Sequence, residues 1–140
     1  MKALNTVKIT FPSRSVNEGF ARSALSAFAA QADPTLDELA DVKTAVSEAV
    51  TNCIVHAYAN TIGPITLTAA LYEDGTLRVA DKGCGIPDVS KAMEPLFTTG
   101  GAERAGLGFA VMESFMDSVK VRSAPGKGTR VTLSKRLGTR

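Results

Sequence analysis

The run Thr35-Leu36-Asp37-Glu38-Leu39-Ala40-Asp41-Val42-Lys43-Thr44-Ala45-Val46-Ser47-Glu48-Ala49-Val50-Thr51-Asn52 decides the fold class of this chain. Thr35 followed three residues later by Glu38 is the pattern of a capping box, in which the hydroxyl and the carboxylate satisfy free N–H groups at a helix start. Asp37 and Glu38 also suit the positive end of the helix dipole. Leu36, Leu39, Val42, Val46, Val50, Cys53, Ile54 and Ala57 recur at helical spacing and predict one apolar stripe. Asp41, Ala45, Glu48 and Asn52 fall on an adjoining stripe. The expectation is a long helix with a core face and a working face.

Outward from that helix the periodicity changes. Val7 to Phe11 alternates apolar and polar residues as a half-buried strand does, and Pro12-Ser13 ends it, giving a first strand suited to a sheet edge. From about Ser15, the residues Val16, Phe20, Ala24, Leu25, Phe28 and Ala29 predict an amphipathic helix that stops near Asp33-Pro34. Two runs, Ile65 to Tyr72 and Leu77 to Ala80, flank Glu73-Asp74-Gly75-Thr76, whose Asp-Gly pair signals a hairpin and places Asp81 at a strand end. Pro87-Asp88 opens a short helical stretch to about Met93. Pro95 through Ala105 has little periodicity and reads as a lid loop. Leu107 to Met116 is helical again, and Val119 to Arg122 with Thr129 to Leu133 predicts a closing hairpin. Helices separated by mostly hairpin-linked strands point to an α+β two-layer sandwich, with one mixed, mainly antiparallel sheet covered by helices on one face.

A length of 140 residues is most simply one domain, large enough to bury roughly 70% of the surface of its unfolded chain. No apolar run approaches the roughly 20 residues that span a bilayer, and the first residues lack a secretory signal, so a cytoplasmic protein without membrane contact is expected. Cys53 and Cys84 lack zinc-type spacing and read as two thiols outside any disulfide. A formal net charge of +2, with basic residues scattered apart from a solvated tail at Lys135-Arg136 and Arg140, gives no argument for direct contact with nucleic acid.

Three patches carry chemistry. Glu48 and Asn52 lie one helical turn apart, about 6 Å along the axis, and can face one ligand. An Asn carbonyl oxygen is a hard neutral ligand for Mg²⁺ that also holds phosphate oxygens, and a neighbouring carboxylate can accept a proton from an attacking hydroxyl. By itself, Glu-x-x-x-Asn is more often a solvent-facing Glu with an Asn that bonds along its own helix. Asp81 stands before Gly83 and Gly85, which remove Cβ atoms where a flat base approaches, and its carboxylate can accept from the exocyclic amine of adenine. Asp-x-Gly-x-Gly alone is also a tight turn. Gly106 and Gly108, around Leu107, stand at a helix start whose N–H groups attract phosphate, as any N-terminal turn does. Arg104 can meet a terminal phosphate through its planar fork. Lys127 and Thr129 can reach nucleotide or serve only the hairpin, and His56, the only histidine, suits a helix-end role. There is no phosphate-binding Gly-x-x-x-x-Gly-Lys-Ser/Thr loop, no His-Arg-Asp and no Asp-Phe-Gly.

The order Glu48-Ala49-Val50-Thr51-Asn52, Asp81-Lys82-Gly83-Cys84-Gly85-Ile86-Pro87, Gly106-Leu107-Gly108-Phe109 and Gly126-Lys127-Gly128-Thr129 resembles the ATP-binding (Bergerat-type) domain of gyrase, Hsp90, histidine kinases and MutL. Within it, Val46 to Asn52, Pro95-Leu96-Phe97-Thr98-Thr99 and Phe109 to Asp117 resemble the anti-sigma-F factors of spore-forming bacteria. Phe20-Ala21-Arg22 fits too. The resemblance implies a homodimeric serine kinase that, with ATP and Mg²⁺, holds a sporulation sigma factor inactive and phosphorylates a serine on its anti-anti-sigma antagonist. It implies Glu48 as catalytic base and Asn52 as Mg²⁺ ligand. Asp81 would read adenine, with Thr129 helping through water. Gly83, Gly85, Gly106, Leu107 and Gly108 would form the nucleotide loops, Thr98, Thr99 and Arg104 the lid over the terminal phosphate, and Arg22 a partner contact. Gly100-Gly101 stands where the family more usually carries Lys-Pro. The anti-sigma-B kinases of the stress response share these motifs. A non-catalytic ATP-gated sigma-binding module and a detached histidine-kinase catalytic domain are the competing readings.

Overall fold

The computed structural model describes residues 2–57, 62–84, 110–124 and 128–138. Among the described residues the order is β1 (Ala3–Pro12), α1 (Val16–Ala29), α2 (Leu36–Asn52), β2 (Pro64–Tyr72), β3 (Thr76–Cys84), β4 (Ser118–Ala124) and β5 (Gly128–Arg136), five strands with both long helices between the first and the second. A 3₁₀ turn (Ala30–Ala32) follows α1 and a π-helical turn (Cys53–Ala57) follows α2, and residues 110–115 are helical. The sheet order is β1-β2-β3-β5-β4, with every described pairing antiparallel. The α+β expectation holds, and the mixed sheet allowed by the sequence is antiparallel throughout the described strands. Among the described residues, no helix is long and apolar enough to cross a membrane.

The local signals act as read. Thr35 Oγ1 accepts from Glu38 N–H at 3.1 Å and Glu38 Oε1 accepts from Thr35 N–H at 2.8 Å, so both halves of the capping box form. These hydrogen bonds hold the Glu38 carboxyl below its ordinary range, the Thr35 backbone bond first. At the β2–β3 turn, Gly75 takes φ +87°, the left-handed conformation that only glycine adopts without strain. The helix after Ser15 ends through the 3₁₀ turn at Asp33, itself at φ +52°.

Strand alternation sets the two faces. Ile65, Leu67, Ala69 and Leu71 of β2, Leu77 and Val79 of β3, and Val131 and Leu133 of β5 point inward and form one core with Leu25 and Phe28 of α1 and Val42, Val46 and Val50 of α2. Each of the larger of these side chains, Ala69 aside, contributes roughly 1.5–3 kcal/mol on full burial.

Four expectations change. Leu36 is 86% exposed and Val16 76% exposed, because each is the first residue of its helix, where the stripe runs out beyond the covering layer. Phe20 is half exposed and meets Phe11 only edge to face, ring centroids 6.3 Å apart. Ala45, assigned to the working face, is fully buried. Lys135-Arg136 is no solvated tail: both residues belong to β5, and the sheet ladder carries them to Thr76 and Leu77. Lys135 Nζ donates to Phe115 O at 3.0 Å and pairs with Asp41 at 3.4 Å, and Leu137 beyond it is buried.

Candidate functional site

The site begins with a break in a hydrophobic row. Along β3 the inward positions are Leu77, Val79 and Asp81, all at most 2% exposed, so the acid occupies the third place of an apolar series. The strand continues past Asp81 to Cys84, three residues beyond the expected end, because β5 extends the ladder through Lys82↔Arg130 and Cys84↔Thr129. That register leaves Gly83 as the extra residue of a bulge. Bulges re-aim the chain next to binding sites, and a glycine there admits close approach to the backbone.

Asp81 lies between Leu67 of β2 and Val131 of β5, neither of which offers a side-chain hydrogen bond. Its Oδ2 accepts from the Cys53 thiol at 3.8 Å, a weak donor, and the Val131 backbone also hydrogen-bonds its carboxyl. Its Oδ1 has no partner among the described residues. Burial pushes the Asp81 carboxyl up to about 7, and the Val131 and Cys53 bonds oppose that rise only in part.

Cys53 also ties this acid to the helix above. Asn52, the last residue of α2, directly precedes it and is 4% exposed, with Nδ2 lacking any partner among the described residues. The helix changes to π geometry at the next residue. The Cys53 N–H spans the change by reaching both Ala49 O and Val50 O. π turns inside helices commonly mark functional positions, since the wider turn re-aims the residues around it. Glu48, one turn earlier, is half-buried, and the neighbouring Ser47 Oγ is buried without a partner among the described residues.

A buried polar atom without a partner costs on the order of 1–3 kcal/mol, so two on one helix–sheet seam define a place where a polar ligand completes the structure. A purine nucleotide fits that demand. Asp81 Oδ1 could accept from an exocyclic amine, and the Asn52 amide could offer a donor to a phosphate oxygen and an acceptor to a divalent cation. The structure therefore brings Glu48, Asn52 and Asp81 to one seam, and Gly83 and the Thr129 backbone to its rim. Gly85, Thr98, Thr99, Arg104, Gly106, Leu107 and Gly108 lie outside the described residues. Arg22 stands apart on α1, exposed, with Nη1 3.1 Å from Glu18 Oε1.

Comparison with known proteins gives the class. Residues 11–135 match the histidine kinase-like ATPase domain, and the chain belongs to that family. Its fold also matches the crystal structure of the RsbU and RsbW domains of a Mycobacterium tuberculosis protein, with a TM-score of 0.71 over 95% of this chain. This chain spans 32% of that one at 24% identity, a likeness of fold alone. Within the class, the chain belongs to the anti-sigma F factors. It is 56% identical to the anti-sigma F factor of Caldanaerobacter subterraneus subsp. tengcongensis, over 99% of this chain and 98% of the relative. To that of Geobacillus kaustophilus it is 51% identical, over 95% and 93%.

Sequence reasoning placed Cys53 only in the apolar stripe and missed its contact with Asp81. A signal existed: Asp81 keeps the odd-numbered phase of Leu77 and Val79, and an acid in that phase must find a partner from the covering helix.

Proposed function

We propose that the chain is an ATP- and Mg²⁺-dependent protein serine kinase of the cytoplasm. As a homodimer with nucleotide bound, it holds a sporulation sigma factor of the F type inactive, and it phosphorylates a serine of that factor's antagonist. The observation that carries this reading is the pair of buried atoms without a partner among the described residues, Asp81 Oδ1 and Asn52 Nδ2, on one seam of an anti-sigma F family member.

Asp81 selects adenine by accepting from its amine, and Gly83 leaves the backbone open to the ring. Thr129 assists through a bridging water. Asn52 holds the cation through its amide oxygen. When bound, Mg²⁺ neutralises charge on the phosphate oxygens and stabilises what develops during transfer. Glu48, half-buried beside that amide, takes the proton of the incoming serine hydroxyl as its oxygen bonds to the terminal phosphorus and ADP departs. Gly85, Gly106, Leu107 and Gly108 cradle phosphates, and Thr98, Thr99 and Arg104 close over them. The exposed Glu18–Arg22 pair contributes little to stability and exchanges readily for a partner carboxylate, which suits Arg22 to protein recognition.

Incubation with γ-labelled ATP and a candidate antagonist tests the reading. An acid-stable phosphoserine on the antagonist is expected, and Glu48→Gln lowers the transfer rate by on the order of 10² to 10⁴ while nucleotide affinity stays nearly unchanged. An acid-labile product would mark a histidine kinase, and an unlabelled antagonist would mark a pure binding module. Equal retention of F-type and stress-type sigma factors would remove the assignment to sporulation.

A further inference from the structure

The outer face of the sheet, away from α1 and α2, carries charge of one sign. Lys8 of β1, Arg78 of β3, Lys120 and Arg122 of β4, and Arg130 and Arg136 of β5 are all exposed on it. Asp81 is the only acidic residue in the five strands, and it points inward. The register draws the cations together. Arg122 stands directly opposite Arg130, and the next row across the sheet reads Lys8↔Thr68↔Ala80↔Thr132↔Lys120. Like charges opposite each other on neighbouring strands are destabilising.

Little among the described residues relieves this. Arg78 lies over the Tyr72 ring, 5.2 Å from its centroid, and Arg136 Nε donates to Asp74 O at 3.1 Å. Lys8, Lys120, Arg122 and Arg130 have no ion pair among the described residues. Asp74 and Asp117, which flank the strands, are engaged by backbone: Asp74 accepts from Thr76 N–H and Asp117 from Arg136 N–H.

We propose that this face binds the phosphate backbone of duplex nucleic acid, independently of sequence. Arginines interleaved with threonine hydroxyls are the side chains that contact phosphate oxygens. Among the described residues, the face offers no large apolar side chain at its centre to anchor a protein partner, and no wedge to enter a membrane. Nor do the described residues place aromatic rings at its centre for stacking unpaired bases, which favours duplex over single strand. The cations are scattered in sequence, which is why the chain gave no argument for nucleic acid; antiparallel pairing collects them on one face. The nucleotide seam lies on the opposite face, so the two sites are separate.

The test is fluorescence anisotropy of labelled 20-base-pair duplexes of unrelated sequence with the full chain. Micromolar binding at 50 mM salt is expected, equal for all sequences, and weakened roughly 10²- to 10³-fold at 200 mM if four to six phosphates are neutralised. The double variant Arg122→Glu/Arg130→Glu weakens binding by roughly tenfold or more. Arg14→Glu/Lys43→Glu, with the same change in net charge away from the sheet, leaves it within about threefold. If the first variant fails to fold, Arg122→Gln/Arg130→Gln replaces it and must also weaken binding. No binding at 50 mM salt, equal loss in both pairs of variants, or tighter binding of polyglutamate or phosphatidylserine vesicles than of duplex would overturn the proposal.

Discussion

Asp81 holds its proton to about pH 7 in the folded protein but loses it near 3.8 in the unfolded chain. Between those values the unfolded state binds fewer protons, so stability falls as pH rises. Its contribution is complete below about pH 4, declines by a few kcal/mol up to about pH 7 and is absent above. Urea unfolding of protein purified free of nucleotide should show this slope, and Asp81→Asn should flatten it. Adenine bound to Asp81 favours the carboxylate, so ATP affinity should rise from pH 6 to pH 8 and lose that rise in Asp81→Asn. A pH-independent wild-type affinity would remove Asp81 from base recognition. The sequence singled out this acid as a candidate base reader, but not its burial. The 3.8 Å contact from Cys53 joins residues 28 apart, and no local pattern encodes which helix covers which strand.

At the scale of the elements, short-range chemistry did what its pattern implied. The capping box at Thr35 closes α2 at its start, so Thr35→Ala should lower stability by about 0.5–2 kcal/mol in thermal or urea unfolding. Gly75 combines φ +87° with crowding, since a Cβ there would meet Leu137 O at 2.5 Å. Gly75→Ala should therefore cost about 1–3 kcal/mol and disturb the contact between the β2–β3 turn and the end of β5. An unchanged midpoint in either variant would contradict the role given to that residue. The element ends were less legible. The π turn at Cys53 replaces the last turn of the helix expected to Ala57, and β3 runs on to Cys84. The extension of β3 comes from a distant part of the chain, the pairing with β5, and the Cys53 thiol at the π turn likewise meets Asp81 of β3.

Across the whole molecule, the proposed nucleotide site couples ligand binding to folding. A nucleotide that satisfies Asp81 Oδ1 and Asn52 Nδ2 binds the folded state alone, and at 100-fold excess over its Kd it adds about 2.7 kcal/mol. The Tm should rise with ATP and rise further with Mg²⁺. In Asn52→Ala the additional Mg²⁺ step should disappear, whereas equal losses with and without the metal would contradict Asn52 as its ligand. The two faces of the sheet divide the chemistry. The inner face holds the core and the proposed nucleotide seam, and the outer face gathers the cations.

The sequence alone determined the helix starts, the hairpin at Asp74-Gly75, the alternating strands and the order of the nucleotide motifs, because each depends on residues within a few positions of one another. Only the tertiary structure decided that Asp81 is buried beneath Cys53, that Val16, Phe20 and Leu36 face solvent, and that six scattered cations share one surface. Those outcomes depend on which strands pair and in what register. Burial and local charge density are properties of surfaces, and surfaces exist only once distant segments have met.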